Sequence, residues 1–480
     1  MLYEALRDYA RRDVCPMHMP GHKRNTGLLG EDFPYQLDIT EIPGFDQLYR
    51  SKGILLEAAR AAGRLYGSRR SFLLVNGSTV GLLAAVRALA GRGGKLIMGR
   101  NCHRSVYHAA ELCALETVYL WPEADEATGI AGGITPGQVA LALAAHPDAA
   151  LVAVTSPTFE GVVSDLEGIS AVTKAHGVPL LVDEAHGAHL GFSPRFGARA
   201  IQCGADVAVA SLHKTLPALN QCSLLHVGQD APEGLERALD RALEMLQTSS
   251  PSYLLLASAD RCVELLGARG PELFAQYENN LDRFGAAASG LKRLGVLCHG
   301  NDRPERHPRF FRHDPGKLVL LGGGAGITGP ALAGLLRERY GIETEMAGAA
   351  FALAMTSICD PASSFDRLAD ALLDIDRTAP AAPPLSPPVR VAAPPLPAIP
   401  IHRAGELEGQ YLPAERWPGT VALEYVWAYP PGVPLIAPGE RPDAAFAARL
   451  EQLSRAGVTL YSSEERLPLL RCALSAPEAL

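Results

Sequence analysis

Between about residues 50 and 230 the chain alternates short apolar segments with stretches whose apolar residues recur at helical spacing. A regular alternation of strand and helix patterns is typical of an α/β domain with a mostly parallel sheet. The predicted strands are 72–75, 95–98, 118–120, 151–155, 179–182, 207–210 and 223–227, and the predicted helices are 80–90, 105–114, 136–145 and 165–176.

The rest of the chain divides by composition and periodicity. After long helices between 231 and 293, a smaller α+β unit is predicted, with a strand at 317–321 and helices at 330–340 and 364–377. Proline then dominates, and it fits neither a helix interior nor an inner strand. The predicted divisions are an N-terminal segment 1–50, a large α/β domain 51–293, a small α+β domain 294–378, a proline-rich linker 379–401 and a C-terminal α+β domain 402–480.

Composition limits the partners. The chain has 480 residues, 48% of them hydrophobic and 20% charged, with a formal net charge of -8. This balance is typical of a globular protein with large cores, and the negative charge disfavours nucleic acid or an anionic membrane while suiting a cationic substrate. The apolar runs are interrupted or shorter than the roughly 20 residues that a bilayer span requires, and the first residues lack a signal-peptide pattern. We therefore expect a cytoplasmic protein.

The nine cysteines include no C-x-x-C pair and no histidine partners at the usual zinc spacing. Reduced thiols are therefore expected, without disulfides and without a bound metal.

The segment 211–217 (SLHKTLP) follows the predicted strand 207–210 and contains the first candidate catalytic residue. At the mouth of a sheet, Lys214 can form an imine with an aldehyde cofactor if burial lowers its pKa, while Ser211 and His213 can hold a phosphate. The alternative is an ordinary solvated loop lysine.

The segment 179–189 (PLLVDEAHGAH) is an apolar strand pattern that ends at Asp183. A buried carboxylate there can keep a pyridine nitrogen protonated, and His186 can bind the 3-oxygen of such a ring. The alternatives are a helix cap for Asp183, a structural imidazole for His186, or a metal site formed by His186 and His189, for which no third ligand is evident. The run DEAH also occurs in helicases, but this chain lacks their G-x-x-x-x-G-K-[ST] phosphate loop.

Two further strand ends carry polar residues. Gly77, Ser78 and Thr79 open a predicted helix, whose first N–H groups can bind a phosphate, although helix capping alone also explains this pattern. His103 lies between another strand and helix and can stack on an aromatic cofactor ring; a capped helix with a surface histidine is the alternative. In open α/β sheets, ligands collect beyond the carboxyl ends of the strands.

The order of these elements, together with several longer motifs, resembles the fold-type-I pyridoxal-phosphate (PLP) enzymes, and within them the Orn/Lys/Arg decarboxylase family. The similarity extends over about residues 15–440. The motifs are 16–23 (PMHMPGHK), 40–44 (TEIPG), 76–79 (NGST), 156–161 (SPTFEG), 211–217 (SLHKTLP) with Gln221, 429–434 (YPPGVP) and 438–440 (PGE).

The resemblance implies a specific set of roles. The implied reaction is decarboxylation of arginine, lysine or ornithine to an amine that can serve as a polyamine precursor, in a short form without the N-terminal wing domain of larger members. It implies a homodimer, or a higher homo-oligomer, in which Thr248 or Ser249 reaches the cofactor phosphate of the neighbouring subunit. The implied catalytic residues are Lys214, His103 and Asp183, and the implied PLP ligands are Gly77, Ser78, Thr79, His103, Asp183, His186, Ser211, His213, Lys214, Thr248 and Ser249.

The sequence leaves open which residues bind the substrate side chain and which related function the chain has. Glu160 and Glu440 are candidate ligands for a basic substrate side chain, and residues 46–49 read DQLY where many family members read DDLH. Two other functions compete with decarboxylation: an α-oxoamine synthase that condenses an amino acid with an acyl-CoA, and a catalytically silent regulatory homologue. The first does not account for the PGHK and YPPGVP motifs, and the second predicts loss of Lys214 or Asp183, both of which are present.

Overall fold

The computed structural model describes residues 1–12, 20, 26–29, 31–380, 382–385, 395–428 and 432–474. Most of the motif 16–23, part of the proline-rich linker and residues 429–431 of the YPPGVP motif lie outside the described residues. The helices are α1 Leu2–Ala10, α2 Thr26–Leu29, α3 Ile54–Tyr66, α4 Gly77–Ala90, α5 Arg104–Leu112, α6 Pro136–Ala145, α7 Leu166–Ala175, α8 Leu212–Thr215, α9 Leu235–Leu246, α10 Tyr253–Ala288, α11 Gly329–Tyr340, α12 Ala362–Thr378, α13 Ile401–Ala404 and α14 Ala444–Arg455.

The strands are short, and most of those between residues 70 and 230 are buried along nearly their whole length. They are β1 Arg70–Leu74, β2 Lys95–Gly99, β3 Glu116–Leu120, β4 Ala149–Thr155, β5 Val162–Val163, β6 Leu180–Asp183, β7 Val207–Ser211, β8 Ser223–Val227, β9 Gly295–Val296, β10 Arg312–His313, β11 Lys317–Leu321, β12 Met346–Ala347, β13 Phe351–Met355, β14 Gln410–Leu412, β15 Val421–Ala422, β16 Val426–Ala428, β17 Pro434–Ile436, β18 Leu460–Ser462 and β19 Leu470–Ala473.

The chain forms two compact units. Unit 1 comprises Met1–Leu89 and Pro179–Gln276, and unit 2 comprises Ala90–Val178 and Tyr277–Leu480. The domain boundaries drawn from composition stay predictions.

In unit 1 the strands run side by side in the order β1, β8, β7, β6. β6 and β7 are parallel, whereas β8 is antiparallel to both β7 and β1. Helix α4 follows β1 and packs closely on this layer through Gly81, where an added Cβ would lie 2.7 Å from Leu74 Cδ1 and 2.8 Å from Val209 Cγ1. The glycine therefore allows the helix to approach the strands.

Unit 2 contains the parallel strands β4, β2 and β3 and four smaller sheets. The antiparallel sheet β12-β13-β11-β9 has its own core around Val319 and Leu353. Two three-stranded sheets, β14-β19-β15 and β17-β16-β18, share a core around the fully buried Trp417. In the described part of the chain, no helix is both long and apolar enough to cross a membrane.

Each predicted strand between residues 72 and 227 corresponds to an observed one, and 223–227 and 317–321 match in full. The predicted and observed ends of some helices differ by one or two residues. The predicted helix 105–114 ends at Leu112, since Ala114 adopts a positive φ of 53°. The direction of β8, which runs antiparallel to both of its neighbours, was not predicted, because apolar patterns carry no information on strand direction.

Replacing Gly81 tests the close packing of α4. The strain of overpacking, about 1–3 kcal/mol, exceeds the gain of about 0.5–1 kcal/mol from replacing a helical glycine. We therefore expect Gly81→Ala to lower the free energy of unfolding in a denaturant titration. Gly267→Ala is the matched control, because Gly267 is a helical glycine with no atom within 4 Å of an added Cβ, and it should stabilise the protein. A stabilising effect of both variants would contradict the packing account.

Candidate active site

Lys214 lies in the short helix α8, directly after the buried strand β7. Its side chain is partly buried, and Nζ lies 3.1 Å from Nε2 of His186. This geometry differs from that of a solvated loop lysine, because the ammonium is held at an imidazole on a neighbouring strand-end loop. The pair can exchange a proton within hydrogen-bond reach.

Asp183 is the last residue of β6 and is 3% exposed. Since β6 and β7 are parallel, with Asp183 paired to Val209, the two strands deliver Asp183 and Lys214 to the same edge. Burial raises the pKa of Asp183, while the Lys214 charge and the N–H of Ala185 oppose the rise. No helix begins within ten residues after Asp183, so the helix-cap alternative is wrong.

The turn before α4 lies beside the end of β7. Gly77 has a φ of +72°, and its N–H donates to the carbonyl of Gln221 (3.1 Å). The hydroxyls of Ser78 and Ser211 are 2.6 Å apart, and Ser223 lies 3.3 Å from Ser78. Hydroxyl groups and the N–H groups of a helix start therefore meet at one place, which suits an oxyanion such as a phosphate.

Two side chains hold this turn: Asn76 of the NGST motif and Gln247, which the sequence did not indicate. Gln247, 5% exposed, accepts the N–H of Val75 (2.9 Å), and Asn76 accepts the N–H of Thr248 (3.0 Å). Both contacts join the turn to the segment after α9. No local signal marks Gln247, because it follows an amphipathic helix like any surface glutamine.

Segment 46–49, where the chain departs from the DDLH pattern, also reaches the residues after α9. Tyr49 Oη donates to the carbonyl of Thr248 (2.5 Å). Ser249 is exposed in the single chain.

His213 and His189 have different surroundings. His213 Nδ1 donates to the carbonyl of Cys222 (3.0 Å), and burial lowers the pKa of His213. His189 is buried with its ring edge-on to Phe196, at 5.2 Å between centroids. His186 faces Lys214, so the described contacts favour a lysine partner for His186 over a metal site with His189.

A buried polar group supports the loop after Asp183. Glu184 accepts the N–H of Ala200 (2.7 Å), and burial raises the pKa of Glu184 to about 8. Arg199 lies over the rings of Tyr66 and Phe192 and donates to the carbonyl of Leu190. These contacts fix the backbone on both sides of His186.

His103 belongs to unit 2, whereas the other predicted PLP ligands belong to unit 1. It is the N-cap of α5, and its Nδ1 accepts the N–H of Ser105 (3.2 Å) and lies 2.8 Å from the Ser105 hydroxyl. The capping alternative therefore describes its local contacts. With Nδ1 as the acceptor, Nε2 carries the proton of the neutral ring.

Known proteins similar to this chain are decarboxylases of basic amino acids. Residues 1–284 match the family model for the major domain of Orn/Lys/Arg decarboxylases. The arginine decarboxylase of Bacillus subtilis is 32% identical over 451 residues, 92% of this chain and 90% of that protein. The chain belongs to the Orn/Lys/Arg decarboxylase family. The arginine decarboxylase of Halalkalibacterium halodurans is 31% identical over 484 residues, 97% of this chain and 95% of that one.

The fold of the family is confirmed by a solved structure. The Francisella novicida lysine decarboxylase superposes with a TM-score of 0.81 over 98% of this chain and 80% of that chain, at 18% identity. The α/β class predicted from the strand and helix pattern is therefore correct.

Glu440, a candidate substrate ligand from its motif, has a structural role in this family member. It is 1% exposed, and both carboxylate oxygens bind Arg100, at 3.0 Å from Nε and 2.9 Å from Nη2. Burial by itself would lower the pKa of Arg100, but the Glu440 carboxylate raises it overall. The expectation that Glu440 binds substrate is wrong, because its oxygens are engaged and inaccessible.

Glu160 lies in unit 2 on the segment after a cis peptide bond between Ser156 and Pro157. Burial raises the pKa of Glu160, and the charge of the buried Lys317 opposes this rise. A role for Glu160 in substrate binding stays a prediction.

The buried ion pair generates a stability prediction. Glu440→Gln should lower the free energy of unfolding by about 3–5 kcal/mol, because it leaves Arg100 buried without its counter-charge. The control is Asp366→Asn, which breaks a surface pair with Arg283 whose side chains are 58% and 49% exposed, and should cost no more than about 1 kcal/mol. Denaturant unfolding measures both, and equally small losses would contradict the structural role of Glu440.

Proposed function

We propose that the chain is a PLP-dependent carboxy-lyase that decarboxylates a basic amino acid, with arginine as the substrate to test first. The observation that carries the proposal is the contact between Lys214 Nζ and His186 Nε2, at the strand edge that also presents the buried Asp183. Family membership supports decarboxylation. The two relatives named above whose lengths are covered to 90% and 95% are both arginine decarboxylases.

The donor set at this edge fits PLP. The helix start at Gly77–Thr79, with the Ser78 and Ser211 hydroxyls and His213, would hold the phosphate, and Asp183 would accept the N–H of the pyridine ring. His186 would bind the ring 3-oxygen, and stacking of His103 on the ring stays an expectation from the family resemblance. When bound, PLP supplies an aldehyde that captures an amine and a ring that accepts the electrons left by departing CO2.

The protein residues then have separate tasks. The buried carboxylate of Asp183 would hold a proton on the ring nitrogen. Lys214 Nζ would hold the cofactor through its aldehyde, and as a free amine it would return a proton to the substrate carbon that has lost its carboxylate. The imidazole of His186, 3.1 Å away, can resupply that proton.

Replacing the lysine tests the proposal. Lys214→Ala should abolish the visible absorbance of bound PLP and reduce release of CO2 and amine from arginine by more than about 10²-fold, since proton transfer by a positioned side chain alone contributes about 10²–10⁴-fold. Lysine and ornithine are assayed beside arginine. Lys174→Ala removes an exposed lysine of α7 and should retain both properties. Wild-type turnover in Lys214→Ala would overturn the proposal.

We further infer that the active form is a homodimer with shared sites. Thr248 and Ser249 follow α9, and the backbone of Thr248 is tied to the cofactor turn through Asn76 while the Ser249 side chain is exposed. An exposed hydroxyl beside a phosphate-binding turn is available to a second copy of the chain, where it would complete the neighbouring site.

Mixing two inactive chains tests the shared site. A Lys214→Ala chain is combined with a chain carrying Thr248→Ala and Ser249→Ala, and subunit exchange is confirmed by mass. If the hydroxyls act across the interface, mixed dimers regain one intact site, and random pairing gives about a quarter of wild-type activity. Activity no greater than that of the separate variants would show that each chain uses its own Thr248 and Ser249.

A further inference from the structure

A second group of chemically reactive side chains lies in unit 2, and none of its members is among the residues assigned to the cofactor. Cys298, Asp302 and His307 each place one ligand atom within 4.8 Å of those of the other two. All three follow β9 on one loop, with three residues between the first two and four between the second and third. Thiolate, carboxylate and imidazole are the three ligand types of protein zinc sites.

The histidine in this group is oriented as a metal-binding imidazole would be. His307 Nδ1 lies 3.1 Å from Asp125 Oδ2, and Nε2 lies 2.8 Å from Asp302 Oδ2. Asp125 also accepts the N–H and hydroxyl of Thr128, which holds its carboxylate in place. A carboxylate that binds the second nitrogen fixes the tautomer and makes the first nitrogen a better metal ligand.

The ring plane of His307 is also restricted. Phe310 stacks on it at 5.3 Å between centroids and 17° between planes, and the imidazole is 2% exposed. Asp302 is 17% exposed and Cys298 is partly exposed, so the ligand atoms remain reachable from solvent. The group thus combines the buried imidazole of His307 with two partly exposed side chains, those of Cys298 and Asp302.

The loop is shaped so that Cys298 and Asp302 face each other. Cys298 has a φ of +55°, in the left-handed region that few residues other than glycine, asparagine and aspartate adopt. Its N–H donates to Asp302 Oδ2 (2.7 Å).

We propose that Cys298, Asp302 and His307 bind a zinc-class divalent cation, with Asp125 as the carboxylate that orients the imidazole. Ligands at about 2.0–2.3 Å from one ion are separated by about 3.2–3.8 Å in a tetrahedron, so small side-chain movements close the site and leave a fourth position for water. On binding, the Cys298 thiol releases its proton to solvent and Sγ becomes a ligand. In the competing arrangement, the His307 ring is held between Asp125 and Asp302 by hydrogen bonds alone, without a metal.

Zinc binding by the full chain with its cofactor bound separates these two arrangements. After equilibrium dialysis against buffered micromolar Zn²⁺, elemental analysis should find one zinc per wild-type chain. Cys298→Ala and His307→Gln should each weaken binding by at least about 10-fold, the size typical of losing a metal-site residue. Cys359→Ala is the matched control, because Cys359 is an exposed thiol of the same unit and should leave the zinc content unchanged.

Cobalt gives a second measurement that does not depend on folding of the variants. Co²⁺ added to the wild-type protein should give the visible bands of a tetrahedral site with a thiolate ligand, and Zn²⁺ should remove them. A wild-type chain without stoichiometric zinc, or zinc that persists in both Cys298→Ala and His307→Gln, would overturn the proposal in favour of the metal-free, hydrogen-bonded arrangement. Because this site does not involve Lys214 or Asp183, its failure would leave the proposed decarboxylase function untouched.

Discussion

The parallel pairing of β6 with β7 is the constraint on which the candidate active site depends. Its register sets Asp183 opposite Val209, so a carboxylate and the residues leading to Lys214 emerge at one edge of the strand layer. A shift by one residue would turn Asp183 to the other face of the layer. The full burial of both strands protects this register, because every alternative pairing would expose apolar side chains or leave backbone groups without partners.

Burial at that edge also determines the chemistry. Asp183 loses solvation, which favours its neutral form, and the nearby Lys214 charge favours the ionised form. The charge of Lys214 thus opposes the effect of burial on Asp183. Lys214 also contacts His186, at 3.1 Å between Nζ and Nε2, which places a third polar side chain at this edge.

Much of this arrangement could be predicted from local sequence. Apolar periodicity located the strands of unit 1, and polar residues at strand ends identified Asp183, Ser211 and Lys214, because both signals arise within a few neighbouring residues. Gln247 could not be predicted, since its contact with Val75 joins positions 172 residues apart. The structural role of Glu440 could not be predicted for the same reason. Its motif suggested substrate binding, but its partner Arg100 is 340 residues away in the sequence.

Cysteine spacing gives limited information on metal binding. The cysteine and histidine spacings behind the expectation of no metal leave out carboxylates, so they do not include Asp302 or the remote Asp125 of the proposed zinc site. Family membership, in turn, removes support from the α-oxoamine synthase alternative, which the local arrangement around Asp183 and His186 had left open.

The most direct test of the central claim is chemical trapping of the cofactor on the native enzyme. Borohydride reduction of the purified protein, followed by proteolysis and mass spectrometry, should find a reduced pyridoxyl phosphate group on the peptide that contains Lys214. Prior addition of arginine should diminish this labelling, because the substrate amine displaces the lysine. Labelling of another lysine, or of none, would contradict the assignment of Lys214 and with it the account of the strand edge as a PLP site.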